Sequence, residues 1–172
     1  MLTVYHGAIC KVERPLCNAG RPNLDFGQGF YVTPLKEQAV SWATRGINIG
    51  VDQWLNIYEL DIEQVHAQYR CLCFEHYDEA WLRFIAHSRK GLEPWREYDF
   101  IEGGVADDRV INTVEDYING DIPVDFALKR LAQHLPNYQM CLLNQTIVND
   151  FLRYVATEPF NEQAQQKGDI SC

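Results

Sequence analysis

Residues Asp25–Thr33 read DFGQGFYVT, and this stretch decides most of what the sequence indicates about the fold. Gly27 and Gly29 flank one polar residue, and glycine permits positive φ and lets a ligand approach the backbone closely. The following residues, Phe30–Val32, are aromatic or β-branched and favour a strand. The stretch therefore predicts a tight turn that leads into a strand carrying an aromatic ring.

The residues on both sides of this stretch also predict secondary structure. Pro34 ends the strand because proline lacks a backbone donor. The segment from about 35 to 44 is predicted to be a helix, since apolar residues share one face: Leu35, Ala39, Trp42 and Ala43. Near the N-terminus, a predicted strand over residues 2–6 ends in the motif Tyr5-His6-Gly7. For a lone G-x-G, a hairpin turn leading into a core strand is the better explanation.

The three motifs in this order resemble the NAD-binding core of the ADP-ribosyltransferase superfamily. More narrowly, they are similar to a bacterial family of uncharacterised domains with the pattern Y-H-G, D-F-G-x-G-F-Y-x-T and Q-A-x-x-W-A. Here the motifs lie at residues 5–7, 25–33 and 38–43, and the resemblance extends to about Ala156. It implies two mostly antiparallel sheets splayed around an NAD cleft, with flanking helices.

The order of the predicted elements indicates an α+β fold, because regular βαβ alternation is missing. Further strands are predicted at 52–61, 69–74, 98–101 and 138–143, and further helices beginning near residues 78, 110, 123 and 147. Gly46 is predicted to cap the first helix. We expect one ADP-ribosyltransferase-like domain over residues 1–158. Residues 159–172 lack large apolar anchors and are predicted to form a poorly ordered tail.

Composition narrows the function classes. The net charge of -9 argues against a broad nucleic-acid-binding surface. The sequence contains no apolar run of eighteen residues, so neither a transmembrane helix nor a membrane partner is expected, and its first residues do not resemble a signal peptide. The spacing of the six cysteines matches no common zinc pattern. We therefore expect buried free thiols, no metal and a cytoplasmic location.

The resemblance implies NAD-binding roles near the two glycine motifs. His6 corresponds to a histidine that binds the adenosine-ribose hydroxyl, and Gly7 to a glycine whose backbone N–H and C=O bind the nicotinamide amide. Tyr31 corresponds to a tyrosine that stacks on the nicotinamide ring, while Phe30 points to the core. Gly29 is expected to let NAD approach the backbone. The structural alternatives are a strand-end histidine bonded to backbone and a tyrosine packed in the core.

Gln139 departs from the superfamily pattern. The late strand of well-studied transferases carries a glutamate that stabilises the oxocarbenium-like transition state, and its counterpart here is Gln139. An amide still binds a ribose hydroxyl, but it supplies no full negative charge, and losing one such stabilising group commonly costs roughly 100-fold. It also cannot serve as a general base. Polymer elongation is therefore not expected, whereas mono-transfer, NAD hydrolysis and plain NAD binding remain open.

Two further residues are candidates for the site. Asp108 lies in the family-like block D-x-x-x-G-x-x-A-D-D at residues 99–108 and is a candidate for the carboxylate missing at Gln139. A helix N-cap formed by Asp107 or Asp108 explains the same residues equally well. Arg21 is a candidate partner of the NAD pyrophosphate, because a guanidinium binds phosphate bidentately. An ordinary surface arginine is the alternative.

These observations together predict an NAD-dependent mono-ADP-ribosyltransferase that uses NAD as a substrate. Its acceptor would be an unidentified protein or nucleic acid. The resemblance also implies a toxin or defence effector, partnered by a small antitoxin-like protein. The competing interpretations are a catalytically silent module that binds NAD or a protein, and an NAD glycohydrolase.

Overall fold

The computed structural model describes residues 1–107, 110–134 and 137–159, and within them the fold is α+β, as predicted. Within these described residues, seven strands form two sheets, connected by six α-helices and three short 3-10 helices. The strands are β1 (Leu2–Ala8), β2 (Phe30–Val32), β3 (Trp54–Leu60), β4 (Cys71–Phe74), β5 (Phe100–Gly103), β6 (Gln139–Leu142) and β7 (Leu152–Pro159). The helices are α1 (Lys36–Ala43), α2 (Ile62–Gln68), α3 (Glu79–Arg89), α4 (Ile111–Asn119), α5 (Val124–Leu131) and α6 (Gln145–Phe151).

The two sheets differ in their strand pairing. The first sheet has the order β1-β3-β7, and both of its pairs are antiparallel. The second has the order β2-β6-β5-β4 and is antiparallel except for β4 and β5. The connection between these two strands contains α3, which provides the crossover that a parallel pair requires. The predicted, mostly antiparallel arrangement is therefore confirmed, with one parallel pair.

The sheets meet at one backbone bridge and then diverge. The Tyr5 N–H donates to the Thr33 carbonyl oxygen at 2.8 Å, and the Thr33 N–H donates to the Tyr5 carbonyl oxygen at 3.0 Å. One residue further along β1, the His6 side chain rather than the backbone reaches the second sheet, through the Tyr31 carbonyl oxygen. The sheets consequently separate beside His6 and Tyr31.

Strand alternation divides the core into two layers on the faces of the second sheet. Met140 and Leu142 pack in a cluster with Phe30, which confirms the predicted core position of Phe30. Cys141 points to the opposite face and packs under α3, α4 and α5. In the antiparallel register Tyr31 lies opposite Cys141, so its ring shares this second face.

Several local predictions were wrong. Helix α2 was missed because Val65 is its one buried residue, so the segment shows little apolar periodicity. Strand β7 was also missed, because it pairs with β3 across about a hundred residues and no local pattern reveals such a pairing. Helix α1 ends with Thr44 as its C-cap, and Gly46 instead begins a short 3-10 helix.

Other predictions concern the tail, the cysteines and membranes. Pro159 ends β7, and residues 160–172 of the predicted tail lie outside the described residues. The described cysteines are free, but Cys10 and Cys73 are exposed, so the expectation of buried thiols was wrong for these two. Among the described helices, none is long and apolar enough to cross a membrane.

Candidate functional site

A cleft of about 720 Å³ opens beside the point where the two sheets diverge. Its walls come from the end of β1, the glycine-rich turn before β2, the start of β6 and one face of α1. Five residues that the sequence analysis selected line it: His6, Gly7, Gly29, Tyr31 and Gln139. The structure thus brings together residues that are more than a hundred positions apart in the sequence.

His6 presents a neutral imidazole with a defined tautomer. Its Nδ1 lies 2.7 Å from the Tyr31 carbonyl oxygen, which only accepts, so Nδ1 carries the proton and donates. Burial lowers the pKa of His6 below its ordinary value and outweighs the opposing effect of this hydrogen bond. The ring is therefore neutral near pH 7, and its Nε2 carries a lone pair that can accept a hydrogen bond.

Tyr31 lines the cleft, and hydrogen bonds fix its hydroxyl group. Its hydroxyl donates to the Gly27 carbonyl oxygen at 2.7 Å and accepts from the Phe26 N–H at 3.1 Å. Burial raises the pKa of Tyr31 well above its ordinary value, so the phenol stays neutral. These hydrogen bonds hold the glycine-rich turn against β2. With the hydroxyl engaged in them, the aromatic surface is what remains for stacking on a ligand.

Both cleft glycines also have a packing reason to be glycine. A Cβ at Gly7 would lie 1.7 Å from the Ala39 carbonyl oxygen, so Gly7 allows α1 to rest on β1. A Cβ at Gly29 would lie 2.5 Å from the Cys141 Sγ, which keeps β6 close. Backbone groups alternate along a strand, so the N–H and C=O of Gly7 point to the same side as those of Tyr5, which bind Thr33. This is the side on which the cleft opens.

Gln139 is enclosed in the wall of the cleft. It begins β6, is 4% exposed, and its Nε2 has no hydrogen-bond partner among the described residues. The preceding carbonyl oxygen, that of Tyr138, accepts from the Thr33 Oγ1 at 2.7 Å and from the Gln38 Nε2 at 3.0 Å. Helix α1 and the end of β2 therefore hold the backbone from which Gln139 projects.

Two opposite charges that line the cleft, those of Asp25 and Arg89, are already paired with each other. The Arg89 Nη2 lies 2.6 Å from the Asp25 Oδ1, and the Ala106 N–H donates to the Asp25 Oδ2 at 3.0 Å. Asp25 is 8% exposed, so this ion pair is largely desolvated and its charges neutralise each other. Arg45, exposed just after the C-cap of α1, also lines the cleft, and the structure shows no carboxylate paired with it in the described part of the chain.

Of the other two predicted site residues, the structure describes only Arg21, which does not line the cleft. Arg21 lines a smaller cavity of about 310 Å³, which shares Leu24, Asp25 and Arg89 with the cleft. Asp108 lies outside the described residues. Its neighbour Asp107 lines the cleft and accepts from the Asn137 Nδ2 at 2.5 Å. No group of three metal-binding side chains occurs among the described residues.

The sequence analysis missed the contribution of α1 to the cleft. Three residues of α1 line it, Gln38, Ser41 and Trp42, and Arg45, just after the C-cap of α1, continues the same side. Trp42 was predicted to share the apolar face of α1, but it is only half-buried, whereas Ala39 and Ala43 are fully packed. The i, i+3, i+4, i+7 spacing was visible in the sequence, but it does not tell what a helix face contacts.

Comparison with known proteins assigns the chain to a family but indicates no activity. A family model described as "Protein of unknown function (DUF3990)" matches residues 2–154. The match covers most of the chain, which therefore belongs to this family. No curated protein and no solved structure matches it.

Proposed function

We propose that this member of the DUF3990 family binds NAD in the cleft and transfers one ADP-ribose unit to a protein or nucleic-acid acceptor. One observation carries the proposal: His6, Tyr31 and Gln139, from three distant segments, line one cleft where the sheets diverge. The motifs predicted this convergence for NAD binding. A core-packed Tyr31 without a cavity beside His6 would have argued against it.

The residues present fit the parts of NAD. The volume of about 720 Å³ lies in the range of ligand pockets. The Nε2 lone pair of His6 suits a ribose hydroxyl, and the N–H and C=O of Gly7 suit a carboxamide, which has both an acceptor and donors. The ring of Tyr31 suits stacking on the flat pyridinium, whose positive charge is attracted to an aromatic face.

The chemistry follows from what Gln139 can and cannot do. NAD supplies an activated ADP-ribosyl group with nicotinamide as the leaving group. Gln139 orients the nicotinamide-side ribose by hydrogen bonding, but it neither removes a proton from an acceptor nor neutralises developing positive charge. Slow, single transfer is therefore the activity that this cleft supports best, and chain elongation is the one it supports least.

A second candidate is a module that binds NAD without turnover, and the neutral amide at position 139 favours it. We also propose a cytoplasmic location, supported by the free thiols of the described cysteines.

A toxin or defence role with a small antitoxin-like partner is proposed from the motif resemblance. The exposed apolar residues Ile47, Ile49 and Val51, which follow Arg45, offer such a partner a surface.

Nicotinamide release over time tests the proposed activity. The purified chain is incubated with NAD carrying a mass label in the ADP-ribose part, with and without a cell lysate. We expect nicotinamide release, and one labelled ADP-ribose unit on lysate macromolecules. Saturable NAD binding with no release above buffer would favour the silent module, and release without any labelled acceptor would favour an NAD glycohydrolase.

A variant pair separates the ring of Tyr31 from its hydroxyl. Tyr31→Ala removes the stacking surface and is expected to weaken NAD binding by about 1 kcal/mol. Tyr31→Phe keeps the ring and removes only the hydrogen bonds to the glycine-rich turn. Equal affinity of wild type and a folded Tyr31→Ala variant would contradict the assigned role of the ring.

A further inference from the structure

The wall of the cleft contains two buried amide atoms of opposite polarity that lack partners. The Oε1 of Gln38 can only accept, and the Nε2 of Gln139 can only donate. Neither atom has a hydrogen-bond partner within the described part of the chain, and both residues line the cleft. Buried polar groups are normally paired, so two exceptions on residues that line the same cleft point to a ligand group that pairs with them.

The orientation of the Gln38 amide follows from its one hydrogen bond. Its Nε2 donates at 3.0 Å to the Tyr138 carbonyl oxygen, which has no hydrogen to give. The nitrogen must therefore be the atom at that contact, and the oxygen is the unpaired one. The same carbonyl belongs to the peptide group that joins Tyr138 to Gln139, so the two amides originate beside each other.

A hydroxyl group matches this pair. A hydroxyl has one proton to donate and lone pairs to accept, so a single group can satisfy both glutamines. A carboxylate has no proton to offer Gln38, and an ammonium has no lone pair to offer Gln139. The last torsion of a glutamine side chain is soft, so the Gln139 amide can turn toward a hydroxyl that enters the cleft, while Gln38 keeps its hydrogen bond to the Tyr138 carbonyl oxygen.

We propose that Gln38 and Gln139 form a hydroxyl-binding pair for a ribose of the ligand. The hydroxyl donates to the Oε1 of Gln38 and accepts from the Nε2 of Gln139. The identification of that hydroxyl as one on the nicotinamide-side ribose rests on the proposed function. The pair also accounts for an amide at position 139, because a carboxylate there would compete with Gln38 for the single hydroxyl proton.

Deoxy analogues of NAD test the pair directly. Affinities of the full chain are measured for NAD and for analogues that lack the 2- or the 3-hydroxyl on the nicotinamide-side ribose. We expect wild type to bind one analogue about tenfold more weakly than NAD, and Gln38→Met to lose that difference. The control is Gln64→Met, an exposed glutamine on α2 outside the cleft, which should retain it.

A merely structural role for Gln38 gives a different result. If Gln38 acts only by holding the Tyr138 carbonyl, Gln38→Met weakens NAD and both analogues by the same factor, and the proposal is overturned. Unfolding midpoints without ligand provide a second readout. Replacing both glutamines by methionine should shift the midpoint by the sum of the two single shifts. A strong coupling would mean that the amides pair with each other, which also overturns the proposal.

Failure of NAD binding is distinguishable from failure of the pair. If wild type does not bind NAD, the proposed function falls, and the pair is then tested with ADP-ribose and free D-ribose against their deoxy forms. A hydroxyl-dependent affinity that Gln38→Met abolishes would support the pair without NAD. The same affinity for every hydroxy and deoxy ligand, or no binding of any of them, overturns it.

Discussion

Gln139→Glu is the substitution that bears most directly on the chemistry of the cleft. It exchanges an amide for a carboxyl group of nearly the same shape at a position that is 4% exposed. The positive charge that develops when nicotinamide leaves would then meet a carboxylate in a partly dry site. Preorganised groups of this kind are commonly worth roughly 100-fold in rate, or about 2.7 kcal/mol. We expect nicotinamide release at saturating NAD to rise by about that factor, while NAD affinity falls because a carboxylate cannot donate a hydrogen bond to the ribose hydroxyl.

The gain should depend on pH, because the cleft disfavours a new negative charge. Burial raises the pKa of a carboxyl group at position 139, which is 4% exposed. The Asp25–Arg89 ion pair on the same cleft adds little, since its two charges neutralise each other. Nicotinamide release by the variant should therefore increase from pH 5 to pH 8 as the carboxyl group ionises. The ratio of the release rate of the variant to that of wild type should accordingly be smallest at low pH.

The stability of the same variant provides a check that does not need NAD. A carboxyl group whose pKa is higher in the folded than in the unfolded state binds more protons in the folded protein. The stability of the protein therefore falls as the pH rises from the unfolded-state pKa through the folded-state pKa. Gln139→Glu should thus lose more stability at pH 8 than at pH 5, relative to wild type. The matched control, Gln64→Glu, adds the same charge on an exposed helix face. Unchanged or reduced release by a folded Gln139→Glu variant at every pH would refute the reasoning.

Three other predictions follow from the geometry. Arg45→Ala should weaken NAD binding several-fold, most at low salt, while Arg21→Ala should have a smaller effect, because Arg45 lines the cleft and Arg21 does not. Calorimetry at two salt concentrations measures both effects. Gly7→Ala should lower the free energy of unfolding in urea by about 3 kcal/mol, since its Cβ would overlap the Ala39 carbonyl oxygen. The lowered pKa of His6 means that the unfolded chain binds more protons below about pH 6.5, so stability should fall there, and less so in His6→Asn, as measured by thermal melts.

The sequence predicted the parts of the fold that local patterns encode. The glycine-rich turn and β2 follow from DFGQGFYVT, and α1 from its apolar spacing; both lie within one or two residues of the prediction. Strand β7 did not follow, because its alternation is weak and its stability comes from the distant β3. Long-range pairing of this kind is absent from any local window.

The residues of the candidate site also differ in whether the sequence predicted them. The convergence of His6, Tyr31 and Gln139 was inferred from a resemblance, since no local rule relates residues so far apart. Arg45 and Trp42 were missed because helical periodicity identifies a face but not the cleft that the face borders. Gln38 was missed because its significance lies in one unpaired atom, which depends on the position of the Tyr138 carbonyl oxygen.

Calorimetric titration of NAD into the full chain tests the central claim most directly, because NAD binding is common to the transferase and to the silent module. The account predicts saturable one-to-one binding that Tyr31→Ala weakens and that the exposed-site variant Gln64→Met leaves unchanged. Absence of saturable binding to the folded wild-type chain at millimolar NAD, at two temperatures, would contradict it.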